Sequence, residues 1–126
     1  MASKPILIVD DEAIVRESLR DWLQDAGYQV ATAETGEQAL EMLEKQDFGV
    51  LVLDVRLPGK TGIRVLKEVK AKQPAIKSII ITAYPYAEAA AEAMKLGAVD
   101  YLIKPFVPDD LERLIREALL ESESQG

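Results

Sequence analysis

Four apolar runs in this chain end in residues able to hold charge or donate a hydrogen bond. "PILIVDDEA" passes from Pro5, Ile6, Leu7, Ile8 and Val9 straight into Asp10, Asp11 and Glu12. "VLVLD" ends in Asp54, "SIIIT" in Thr82 and "YLIKP" in Lys104. Carboxylates brought together repel, by roughly 4 kcal/mol for two charges about 4 Å apart at an effective dielectric of about 20. Such a group takes up protons or holds cations. Lys104 supplies one positive charge, and a hard divalent ion would supply the rest. Mg2+ suits one or two carboxylates together with waters and phosphate oxygens. The acids read as a device for holding a cation against an anionic group.

The elements that must bring these residues together follow from the hydrophobic pattern. Short apolar runs recur at Pro5–Val9, Gln29–Ala33, Val50–Leu53, Ser78–Ile81 and Asp100–Ile103. "PILIV", "VLVL" and "SIII" are continuous rather than alternating, as in parallel strands covered on both faces. The segments between them have helical periodicity. Val15, Leu19, Trp22, Leu23 and Ala26 form one stripe, with Gly27 as its stop, and this reading puts Trp22 in the core. Ala39, Leu40 and Leu43 mark a second helix, Leu66 and Val69 a third, and the alanine-rich stretch Tyr86–Leu96 a fourth. The last begins near Pro108, with Asp109 and Asp110 in its first turn and Leu111, Leu114, Ile115, Ala118 and Leu119 as its stripe. Five β-α units with right-handed crossovers predict an α/β fold, a doubly wound parallel sheet with helices on both faces. Ligands of such sheets bind at the carboxyl ends of the strands, where Asp10, Asp11, Asp54, Thr82 and Lys104 stand.

Composition narrows the chemistry. The 126 residues suffice for one domain with a real core, and 48% hydrophobic with 29% charged residues is a globular balance. There is no cysteine and no histidine, so disulfides, thiolate catalysis, thiolate-bound zinc and a histidine base are excluded. The net charge of -7 argues against nucleic-acid binding. No apolar stretch approaches the roughly 20 residues of a membrane helix. "MASKPILIVDD" lacks the pattern of a secretory signal, so the cytoplasm is the expected location. The turn after the first strand has neither G-x-G-x-x-G nor a P-loop. Its acids would repel a bare phosphate, so a phosphate must arrive with a metal or already bonded to something.

Asp10-Asp11, Asp54, Thr82 and Lys104, with "LDVRLPGKTG", "ITAY" and "YLIKPF", resemble the receiver domain of bacterial two-component response regulators over about Pro5 to Leu120. The resemblance implies a flavodoxin-like five-stranded sheet of order 2-1-3-4-5. It makes Asp54 the acceptor of a phosphoryl group from a histidine on a sensor kinase. Mg2+ would be held by Asp11, Asp54 and the backbone carbonyl of Arg56, with Asp10 acting through water. Lys104 would pair with Asp54 and then with the phosphoryl group, and Thr82 would donate to a phosphoryl oxygen. Ala83 is small, as access requires. Tyr101 would turn inward as Thr82 moves, and the Lys104–Pro105 bond would be cis. Arg56 and Tyr84, two residues beyond Asp54 and Thr82, would tune the phosphoryl lifetime, and their bulk implies a long one. A phosphorylation-dependent homodimer through the fourth helix, fifth strand and fifth helix is implied, as is control of an output, with transcription favoured by the likeness of "ITAY", "IKPF" and "DDLERLI" to receivers of AAA+ activators. The receiver would span residues 1–121, with 122–126 a polar tail or the start of a linker to an effector domain.

Plainer readings stand beside these. Asp11, ahead of a helix beginning near Ala13, is an N-cap candidate. Glu12 is expected to face solvent, and Tyr101 on an edge strand to be half-buried packing. The alternative function is a receiver-like module that acts without phosphorylation. An aspartyl phosphatase of the haloacid-dehalogenase type wants a second aspartate two residues after the nucleophile, where this chain has Arg56.

Overall fold

The computed structural model of the protein describes residues 4–57, 61–83 and 87–125. Five strands alternate with five helices: β1 (Ile6–Val9), α1 (Ala13–Asp25), β2 (Val30–Ala33), α2 (Gly36–Lys45), β3 (Val50–Asp54), α3 (Gly62–Lys72), β4 (Lys77–Ala83), α4 (Ala87–Lys95), β5 (Asp100–Lys104) and α5 (Pro108–Gln125). The strands form one sheet of order β2-β1-β3-β4-β5, with every pair parallel. This is the doubly wound, flavodoxin-like arrangement with the expected order.

The continuous apolar runs have a direct cause. Ile6 and Ile8 of β1 pack with Leu19 and Leu23 of α1 and with Leu111 and Ile115 of α5. Leu7 and Val9 point the other way, into a core shared with Leu43 of α2, Leu66 and Val69 of α3 and Ala93 of α4. A central strand covered on both faces leaves no position for a polar residue until it leaves the sheet. Asp10 is the first residue past β1, so the acids start where the cover ends.

Helix ends follow local chemistry. The Thr35 hydroxyl accepts from the Gln38 N–H at 3.1 Å, while Gln38 Oε1 accepts from the Glu34 N–H at 2.8 Å. Thr61 caps α3 by accepting from the Arg64 N–H. Gly27 and Gly97 follow α1 and α4 at φ of 100° and 104°, conformations that favour glycine.

Two expectations change. Asp11 is not a cap: Glu12 takes the N-cap position of α1 and makes no side-chain cap bond, because its carboxylate turns to Lys104 instead. Trp22 is not core but 44% exposed. Leu19 and Leu23 take the buried line of α1, and Trp22, one position off it, falls on the flank beside the polar first turns of α5. The helix α5 continues through the polar segment after Glu121 to Gln125. The expected start of α4 at Tyr86 lies outside the described residues, as does Tyr84. No helix among the described residues is long and apolar enough to cross a membrane.

Candidate functional site

Asp10 and Asp54 are charged side chains sealed into the end of the sheet, at 0% and 5% exposure. Each spends one carboxylate oxygen on its own turn. Asp10 Oδ1 accepts from the Glu12 N–H at 2.9 Å, and Asp54 Oδ1 from the Arg56 N–H at 3.0 Å. The other oxygen of each meets Lys104 Nζ, at 2.9 Å in both cases. Glu12 Oε1 is 3.2 Å from the same ammonium. Lys104 stands on β5, so its side chain crosses the end of β4 to reach Asp54 on β3 and Asp10 beyond β1. Only a long, unbranched side chain can span two strands in this way.

Carboxylate oxygens of Asp10, Asp11, Glu12 and Asp54 lie within 4.8 Å of one another. Four acids face one ammonium, and the electrostatics show it. Burial raises the Asp54 pKa; the Lys104 and Arg56 hydrogen bonds pull it back only in part, and the Asp10 charge raises it further. Burial alone would lower Lys104, but its hydrogen bonds to Asp10 and Asp54 and their charges outweigh that and hold it above the ordinary lysine value. The opposed partners both shift up because Asp54 carries a desolvation penalty that a shared ammonium does not cancel. The donor set is hard oxygen alone, in a chain without histidine or cysteine, and fits Mg2+ better than a softer metal.

The other expected residues fall around this centre. Thr82 is buried at the end of β4, with its hydroxyl 3.4 Å from the Ala83 carbonyl oxygen. Arg56 is exposed two residues beyond the end of β3, just after Val55. Tyr101 is on the outer edge strand, 39% exposed and facing away from the core. The Lys104–Pro105 peptide is cis. Asp11 is exposed at the mouth of the cluster.

Two contributors were not legible beforehand. Glu12 is exposed, as expected, but its carboxylate also meets Lys104. Arg16 donates from Nη1 to the Asp10 carbonyl at 2.8 Å and so ties α1 to the turn that carries the acids. A cation in the first turn of a helix opposes the helix dipole. That misfit was the available signal for Arg16.

Known proteins share this fold. The family model for the response regulator receiver domain matches residues 6–116. The transcriptional regulatory protein ZraR of Escherichia coli is 46% identical over 123 residues, which cover 94% of this chain and 27% of that protein. The transcriptional regulatory protein FixJ of Bradyrhizobium diazoefficiens is 42% identical, over 94% of this chain and 58% of its own length. This chain thus spans about a quarter and just over half of those relatives. A CheY-like response regulator receiver domain protein from Methanospirillum hungatei superposes with a TM-score of 0.94 at 34% identity, covering 99% of this chain and 100% of that one. With its acids, hydroxyl and lysine at the strand ends of the same fold, the chain belongs to the response regulator receiver domains, a family phosphorylated on an aspartate.

Proposed function

We propose that Asp54 is the phosphoacceptor and that the chain is a switch thrown by its aspartyl phosphate. The observation that carries this reading is the buried Asp54 carboxylate, 2.9 Å from Lys104 inside a cluster of four acids. An Asp54 oxygen bonds to phosphorus as the phosphorus–nitrogen bond of a phosphohistidine breaks, and the imidazole leaves with that electron pair. The histidine belongs to a sensor kinase, the partner with which response regulator receivers interact; this chain has none of its own. A loose transition state needs positioning and charge neutralisation more than bond-making by the protein. Lys104 neutralises, passing from Asp54 to a phosphoryl oxygen, and the Thr82 hydroxyl donates to another.

The acidic pocket of the family uses Mg2+. Here Asp11, Asp54 and the Arg56 backbone carbonyl would hold it. Asp10 would act through water, a role supported by the engagement of both its oxygens by protein donors. When bound, the ion offsets charge on the transferred group. Tyr101 answers the change at Thr82 by turning from its exposed position. The chain acts on itself alone, in the cytoplasm; the receiver spans residues 1–121, and 122–126 are a polar tail or the start of a linker to an effector domain that controls transcription.

Intact mass after incubation with acetyl phosphate and Mg2+ tests the reading. One phosphoryl adduct is expected, absent from Asp54→Asn and from a metal-free sample. No adduct in any sample would leave a module that works without phosphorylation. The bulk of Arg56 beside Asp54 hinders an attacking water, so Arg56→Asn is expected to shorten the phosphoryl half-life several-fold; an equal or longer half-life overturns that role. Tyr84→Ala makes the matching comparison.

A further inference from the structure

The seam between α1 and α5 shares no residue with the acidic cluster, and it holds the chain's single tryptophan. Trp22 lines a cleft of about 660 Å³ together with Asp25, Asp109, Asp110, Glu112, Arg113 and Arg116. We propose that this cleft docks an arginine-bearing basic segment of a partner protein.

The charges of the walls decide the chemistry. The two guanidiniums are already matched: Arg116 Nη1 is 2.6 Å from Glu112, and Arg113 Nη1 is 3.7 Å from Glu117. Glu112 is further fixed by the Tyr28 hydroxyl, which donates to its other oxygen at 3.2 Å. Asp25, Asp109 and Asp110 have no ion-pair partner among the described residues. What remains is a half-exposed indole beside three unmatched carboxylates. A guanidinium stacks on an indole while its N–H groups reach flanking carboxylates, so arginine satisfies both features and a lysine ammonium only the charge. The occupant is not nucleic acid, whose phosphates the aspartates repel.

Trp22 reports on its own cleft. Its emission is followed in the full chain at low salt and saturating Mg2+, which keeps the phosphoacceptor cluster from competing for cations. The probe is acetylated, amidated hexa-arginine. A saturable emission change is expected, with hexa-lysine binding about fivefold more weakly. Asp109→Asn with Asp110→Asn is expected to weaken hexa-arginine binding by about tenfold. Glu41→Gln with Glu44→Gln removes the same charge from α2 and is expected to leave affinity within about twofold. Circular dichroism checks that both variants fold. The proposal is overturned by an absent emission change, by equal losses in the two double variants, or by an emission change with protein concentration alone, which would put a second copy in the cleft. It does not rest on phosphorylation of Asp54 and survives the failure of that reading.

Discussion

Asp54 and Lys104 depend on pH in opposite ways. With its native pKa raised, Asp54 favours the fold below the ordinary carboxylate value of about 4 and opposes it as pH climbs through the raised native value. Metal-free Asp54→Asn is therefore expected to melt a few degrees above wild type at pH 7, and the gap to close by pH 4. Lys104, also raised, supports the fold fully below the ordinary lysine value of about 10.4 and loses that effect as pH climbs from there through its raised native value. Lys104→Met leaves Asp10 and Asp54 buried without a counter-charge, so a loss of about 3 kcal/mol is expected at pH 7, shrinking in acid. Urea unfolding at the two pH values measures both. An Asp54→Asn protein less stable than wild type at pH 7 would mean that burial and the Asp10 charge do not penalise the Asp54 carboxylate. Asp10, Asp54, Thr82 and Lys104 were readable because each sits where an apolar run stops. Glu12 and Arg16 were not, because a charged residue in the first turn of a helix looks solvated until the turn before it is built.

The segment from Asp54 to Gly62 shows what elements must do for such a site. Gly62 opens α3 and donates its N–H to the Val55 carbonyl at 2.8 Å. A Cβ added there would stand 2.7 Å from Val55 Cα and overlap the Asp54 carbonyl oxygen. The start of α3 is thus pressed against the backbone that presents Asp54, an approach only glycine permits. Gly62→Ala is expected to cost about 2 kcal/mol or more and to slow phosphorylation by acetyl phosphate, since the carboxylate shifts with its strand. Unchanged stability in urea would show that the contact yields freely. In the sequence Gly62 was simply the last letter of a turn-like "LPGKTG"; its role depends on a strand eight residues earlier. Trp22 failed for a related reason: spacing of three and four identifies a stripe, but its edges are set by how α5 lies beside α1.

At the scale of the molecule, the face made by α4, β5 and α5 is the one proposed for phosphorylation-dependent pairing of two copies. Met94, Tyr101 and Ile103 are each about 40% exposed there, on a helix lined with alanines and on an edge strand. In the proposed switch, phosphorylation would reach this face through Lys104 on β5 and Thr82 on the neighbouring β4. Light scattering with and without a phosphoryl mimic is expected to show dimers only with the mimic; a monomer in both states at high concentration removes the proposal. The fold class was legible because five buried runs separated by helices leave few topologies. The strand order is a different matter: periodicity alone does not set it, and it came through family likeness.

The sheet order also concentrates risk. β1 precedes every other element in the chain yet lies second in the sheet, bonded to both β2 and β3, and it leads directly into Asp10 and Asp11. Translation begun at an internal start, or a protease cut after Val9, would remove an inner strand and split the sheet at the point where the acids attach. Loss of those first residues would yield no partly active receiver, only chains that neither fold nor signal.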